Sequence, residues 1–221
     1  MSDYCYFCGG EATSDEHCPP KAIFPKLKDS PDGRNYRTNP IVVRSCAEHN
    51  TERSREDEYL LYVLVMNLPS NDIAKSQFLT RVRRAIDRRQ SLLKRLTIET
   101  RDVIIHDTVT DKWEKSIAIK PEEQRLVRVF TNIAKALYFH EKRRVWPGRV
   151  SIVTEFMLSF DDIGRNERQE QLVKELDALL ANVPYKGQHP DVFSYQFLDI
   201  GGRYLLRLHF YGNSRVSATF L

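Results

Sequence analysis

Two short knuckles, Cys5-Tyr6-Phe7-Cys8 and Cys46-Ala47-Glu48-His49, constrain this chain more than any other feature. In each, two residues separate a pair of metal-ligating side chains, so one tight turn can deliver both to a single ion. Zinc favours four soft or borderline ligands in a tetrahedron. Cys5, Cys8, Cys46 and His49 would supply three thiolates and one imidazole. Such a centre would also draw His17 and Asn50 together across a long loop. The competing reading is a set of reduced, partly buried thiols with no metal. Cys18 could displace His49 to make an all-cysteine site, but it sits between His17 and Pro19 with neither the spacing nor a matched partner.

All four cysteines precede residue 47. A secreted chain stapled by disulfides would spread them, so a reducing, cytoplasmic setting and metal ligation are the expectation. The start, Met1-Ser2-Asp3-Tyr4, lacks a basic region followed by an apolar run. The longest apolar stretch, Tyr59 to Met66, is too short to cross a bilayer, so no membrane partner is expected. With 221 residues, 41% of them hydrophobic, the chain can bury one core, or one core plus a small metal-stapled module. The mean hydropathy of −0.49 is that of a soluble globular protein, and the net charge of +4 is too small to choose a partner.

Residues 1–50 are rich in Pro, Gly, Asp and Asn, as in a module that relies on metal because its apolar residues are few. Pro31-Asp32-Gly33 marks a turn, and Asn39 to Val43 reads as a strand feeding the second knuckle. A helix follows, with Tyr59, Leu60, Val63 and Leu64 at helical spacing, stopped at Leu68-Pro69. The first unit is therefore 1–68 and the second 69–221. Ser70-Asn71-Asp72 caps a helix running to about Leu96, with Leu79, Val82, Ile86, Leu93 and Leu96 as its apolar stripe. Arg81, Arg84, Arg88 and Arg95 lie on another face. Residues 71–101 hold nine Lys or Arg against three Asp or Glu, which reads either as a phosphate-binding face or as a plain solvated one. A hairpin is expected over 102–119, turning at Thr110-Asp111-Lys112, then a helix from Pro121 to about Val145. Val150–Phe156 is a strand and Arg168–Leu180 a helix. Strands follow at 192–198, 204–211 and 216–221, with turns at Gly201-Gly202 and Gly212-Asn213. The meander leaves an edge strand able to pair across a homodimer.

The order C-x-x-C, then Glu16-His17 ahead of Pro20-Lys21, then C-x-x-H followed by Asn50, resembles the HNH endonucleases of the ββα-metal, or His-Me finger, group. The resemblance covers about residues 4–58. It implies a small zinc-stapled ββα-metal module; beyond it, periodicity and alternation read as a helical segment and an α+β domain with an antiparallel sheet. The resemblance further implies a metal-dependent endonuclease hydrolysing phosphodiester bonds in nucleic acid, DNA foremost. His17 would be the general base, a role suited to a group titrating near neutral pH. Glu16 and Asn50 would hold a catalytic Mg²⁺ or Mn²⁺, and Asn39 would be the middle residue of the motif, with Asn35 as its competitor. Lys21, Lys26 and Arg53 could then touch the substrate backbone. His49 stands where the family usually has a fourth cysteine, and Cys18 is a departure. The alternative is a zinc-stabilised module that binds nucleic acid or protein without cleaving. His106, His140, His189 and His209 have no partner at ligand spacing and carry no role in this reading.

Overall fold

In a computed structural model, which describes residues 3–51, 53–88, 99–107 and 111–221, the chain is α+β with antiparallel sheets. Strands β1 (Ser14–Cys18) and β2 (Ile41–Ser45) pair in the register Ser14 with Ser45 to Cys18 with Ile41. Helices α1 (Ala47–Thr51) and α2 (Arg53–Val65) follow at once. The last turns of α2 bury Tyr59, Leu60, Leu61, Tyr62, Val63, Leu64 and Val65. A helix segment apolar all round must be enclosed by other elements, and this one is central, where a single stripe was expected.

Asn71 caps α3 (Asp72–Gln77), its side chain accepting from the Ala74 amide at 3.2 Å. A π-helical turn over Phe78–Val82 separates α3 from α4 (Arg83–Arg88). The extra residue in that turn rotates the apolar face. Phe78 and Val82 therefore pack inward while Leu79 is left 60% exposed, a correction to the stripe read from sequence. The rest of the expected helix, with Leu93, Arg95 and Leu96, lies outside the described residues. The basic face is partly spent on internal contacts: Arg81 donates to the Ala22 carbonyl, and Arg84 to the Thr80 carbonyl and Asp29.

Strands β3 (Thr100–Asp107) and β4 (Lys112–Ile119) form the expected hairpin; its turn residues before Asp111 lie outside the described ones. Helix α5 (Glu123–Lys142) is the spine of the fold. Leu126, Val129, Phe130, Ile133, Ala134, Ala136, Leu137, Tyr138 and Phe139 are all buried, an arc too wide for one contact face. It is wide because α5 lies between the β1–β2 hairpin and a five-stranded sheet. The helix ends before the expected Val145: Arg143 turns left-handed (φ 56°), and its amide bonds the Phe139 carbonyl.

The sheet has the order β5-β9-β8-β7-β6, all antiparallel, from β5 (Val150–Thr154), β6 (Lys186–His189), β7 (Phe193–Ile200), β8 (Arg203–Phe210) and β9 (Ser214–Phe220). Strand β6 was not expected; Lys-Gly-Gln-His has no alternating pattern. Helix α6 begins at Ile163, ahead of the expected Arg168, because Asp162 caps it by accepting from the Arg165 amide. Gly201 and Gly202, both at positive φ, close the β7–β8 turn. The β8–β9 turn is centred one residue earlier than expected, on Tyr211 (φ 48°) and Gly212. Tyr211 tolerates that conformation because its buried hydroxyl is held by Gln77 and the Ile23 carbonyl. One cluster of buried residues runs from Tyr6 through α2 and α5 to Phe220. No helix among the described residues is long and apolar enough to cross a membrane.

Beyond the sheet face that meets α5, a buried ion network joins β8, β9, α6 and the end of β5. Arg207 grips Glu155 with two bonds, at 2.9 and 2.5 Å, and both side chains are at most 2% exposed. Asp177 bridges Arg207 and Arg215, and Ser217 donates to Glu155. Removing one partner strands a buried charge, at a cost of about 3–5 kcal/mol. Glu155→Ala should therefore lower the melting temperature by several degrees more than the paired change Glu155→Leu with Arg207→Met. Equal losses in the two proteins would show that the network matters only as packed volume.

Candidate metal centre and adjoining cleft

The first knuckle is a tight loop in which the Cys5 amide bonds the Gly10 carbonyl, the Gly9 amide bonds the Cys5 carbonyl, and Gly9 has φ 76°. The Tyr6 amide bonds the Arg44 carbonyl of β2, which docks this loop beside the second knuckle at the start of α1. The result gathers the ligating atoms of Cys5, Cys8, Cys46 and His49 within 4.8 Å of one another. Cys46 Sγ lies 3.0 Å and Cys5 Sγ 4.0 Å from His49 Nδ1, and Cys8 Sγ lies 3.9 Å from Cys46 Sγ. With zinc–sulfur bonds of about 2.3 Å and zinc–nitrogen bonds of about 2.0 Å, a tetrahedron has edges of roughly 3.5–3.8 Å. The four donors thus surround a volume of the right size for such an ion.

The electrostatics agree with the geometry. Burial opposes ionisation of Cys5, but backbone hydrogen bonds from Cys8, Cys46 and Phe7 outweigh it and bring the thiol down to about 7. For Cys8, the Gly10 backbone bond favours the thiolate, yet burial and the neighbouring Cys5 and Cys46 thiols push it up. Thiols that hinder one another's ionisation are relieved by a cation among them. The three-cysteine, one-histidine set is therefore a centre that could bind a metal such as zinc. Around it, the His49 ring stacks on Phe7 with centroids 4.4 Å apart, and Lys135 covers Phe7 at 4.5 Å.

Cys18 is separate from this centre. It is 3% exposed, its Sγ lies 3.5 Å from the Ile133 carbonyl of α5, and burial raises its pKa far above the usual thiol range. That contact seats β1 on α5 one residue beyond His17.

His17 lines a cleft of about 230 Å³ whose walls come from β1, α1, α2 and α5. Glu16 lies beside it on β1, Glu48 and His49 come from α1, Glu56 and Asp57 from α2, and Arg128 and Asn132 from α5. His49 thus belongs both to the candidate metal centre and to the cleft wall. Burial first, and the charge of Lys21 second, lower the His17 pKa below its usual 6.5, against a smaller upward pull from Asp15. Among the described residues the His17 ring has no hydrogen-bond partner, so its nitrogens are open to whatever enters the cleft. Glu16 accepts from the Tyr6 hydroxyl at 3.3 Å.

Comparison with known protein families, curated proteins and solved structures found no match. The site must therefore be read from its own chemistry.

A second, smaller hollow of about 30 Å³ also reaches His17 and is lined by Lys21, Tyr36, Asn39 and His189 among others. Asn39, at φ 46°, thereby lines the same hollow as His17. Asn35 is not; its side chain accepts from the Arg37 amide at 3.1 Å in a local turn. Asn50 also points elsewhere, donating to Ser14 Oγ at 2.7 Å, and does not line the cleft. Lys21 borders the hollow, Lys26 borders neither cavity, and the Arg53 side chain lies outside the described residues. The sequence reading missed Glu56, Asp57, Arg128, Asn132 and His189. His189 lies within 3.3 Å of the Thr38 hydroxyl and 3.2 Å of the Thr38 carbonyl, and Arg34 reaches Asp191 at 2.8 Å. The five-stranded sheet thus clamps the loop that carries Asn39. These residues sit on elements far away in sequence and belong to no short motif, so only packing reveals them.

Proposed function

We propose that this chain is a metal-dependent endonuclease of HNH type that hydrolyses phosphodiester bonds in nucleic acid, with DNA as the first substrate to test. In this reading β1, β2 and the helix after them form the ββα unit, and zinc at Cys5, Cys8, Cys46 and His49 is its structural staple. The observation that carries the proposal is His17 itself: unpartnered, half-buried, kept neutral near neutral pH, and facing a cleft built against the metal frame. A neutral imidazole in that position can take a proton from water as it attacks phosphorus. Asn39 orients the loop beside His17.

Glu16 would hold a hard divalent ion, Mg²⁺ or Mn²⁺, and Asn50 would join it on turning away from Ser14. Among the described residues, oxygen donors are not gathered in advance as the thiols are. This suits Mg²⁺, which takes one or two carboxylates and draws the rest of its shell from water and phosphate. When bound, the ion supplies Lewis-acid stabilisation of the leaving oxygen.

The base role makes a signed prediction. Because the folded-state pKa of His17 lies below 6.5, the metal-dependent rate should be flat from neutral pH down to below 6.5. It should then fall about tenfold per pH unit once the imidazole is protonated. A pH–rate profile of plasmid nicking at saturating Mg²⁺ measures this. A rate that rises as pH falls through 6 would assign His17 the opposite protonation state and remove it as the base.

A further inference from the structure

Three features of the cleft stand out once its internal bonds are accounted for. His17, Arg128 and Asn132 all line it, and among the described residues none of the three side chains has a hydrogen bond or ion pair. Of the described cations nearby, Lys21 borders the smaller hollow, Arg125 is held by Glu56 at 2.7 Å and Glu122 at 3.2 Å and lies over the Tyr59 ring, Arg44 pairs with Asp15, and Lys135 covers Phe7. Arg128 is the only Lys or Arg among the described cleft-lining residues. It stands one helical turn before Asn132 on α5, so the two side chains share one face. That face is fixed beside His17 by the contact of Cys18 with the Ile133 carbonyl.

We propose that Arg128 and Asn132 form a phosphate-binding site across the cleft from His17, which receives a phosphodiester of the nucleic-acid strand. The proposal rests on the nuclease reading and adds a substrate contact from outside the zinc-stapled module. A guanidinium offers a planar fork matched to two phosphate oxygens, and the Asn132 amide adds a neutral donor. The carboxylates of the cleft explain why such a group is needed. Glu16, Glu48, Glu56 and Asp57 line the same space, four carboxylates against one guanidinium of the lining, Arg128. A polyanion entering there is repelled unless a cation faces it on each side. Arg128 is that cation on the α5 wall, and the divalent ion at Glu16 would be the other. Binding should consequently need a divalent ion as well as Arg128.

The test uses the full-length, zinc-loaded chain in two arms. In the first, His17→Ala, which does not cut, is titrated with a fluorescein-labelled DNA duplex in Mg²⁺ over a range of salt, with and without Arg128→Ala or Arg128→Lys. In the second, plasmid cleavage is timed for the wild type, Arg128→Ala, Arg128→Lys and Asn132→Ala. Arg128 is exposed on a helix, so Arg128→Ala should fold, and zinc content with melting temperature checks that. Arg128→Ala is expected to weaken binding tenfold or more and to reduce the salt slope by about one. Cleavage should slow about tenfold to hundredfold. Arg128→Lys should keep the slope and recover only part of the rate, because an ammonium lacks the fork. Wild-type binding and cleavage by Arg128→Ala would overturn the phosphate site while leaving the nuclease intact. Loss of affinity in Arg128→Ala, with no His17-dependent cleavage by any protein, would keep the phosphate site and defeat the nuclease. A duplex that does not bind at all would overturn the phosphate site.

Discussion

Removing the metal, or a ligand such as Cys46, is expected to cost the amino-terminal hairpin its fold. Structural zinc in small modules supplies about 10–16 kcal/mol of apparent binding energy. Here Tyr6 and Val43 of the module are also buried against the common core, so part of that energy has a substitute. A loss of more than about 5 kcal/mol is still expected for Cys46→Ser, since three thiol and imidazole groups crowd together with no ion to balance them. The purified chain should carry about one zinc, and its release should track the loss of the first unfolding transition. Cys18→Ala is the control: it should keep the zinc and lose about 1 kcal/mol, the value of a small buried contact. Zinc content near zero in a chain with an unchanged melting temperature would show that the cysteine cluster is only a reduced, packed corner.

The second large effect is expected at His17. Loss of a general base typically costs 10²–10⁴ in rate. His189 borders the same small hollow but is occupied with Thr38, which argues against rescue by a neighbouring imidazole. The loss of rate in His17→Ala should therefore lie toward the upper end of that range.

How much of this was legible in the sequence depends on how local the signal is. The two knuckles were readable because zinc imposes its own spacing on the chain, and their four donors do converge. The antiparallel meander was readable from alternation and from Gly201-Gly202. Strand β6 was not, since Lys186-Gly187-Gln188-His189 is recruited by pairing with β7 and has no pattern of its own. Leu79 was placed inward because a 3.6-residue period was assumed straight through a π-helical turn. In the site, Asn39 and His17 line the same small hollow, whereas Asn50 is turned to Ser14. A spacing argument can put a residue on a helix but does not say which neighbour its amide will choose. Arg128 and Asn132 are the extreme case: they reach the cleft only because α5 is sandwiched between the hairpin and the sheet.

The measurement that tests the central claim most directly is cleavage of supercoiled plasmid by the wild type and by His17→Ala. Each would be assayed with Mg²⁺, Mn²⁺ or EDTA, and zinc would be quantified in both proteins. The account predicts about one zinc per chain in each, nicking by the wild type that needs a divalent ion, and a loss of at least about a hundredfold in the variant. Equal cutting by the two proteins would point to a contaminant and contradict the assignment of His17. An absence of cutting by both, with zinc in place, would leave a zinc-stabilised binding module as the better account of the chain.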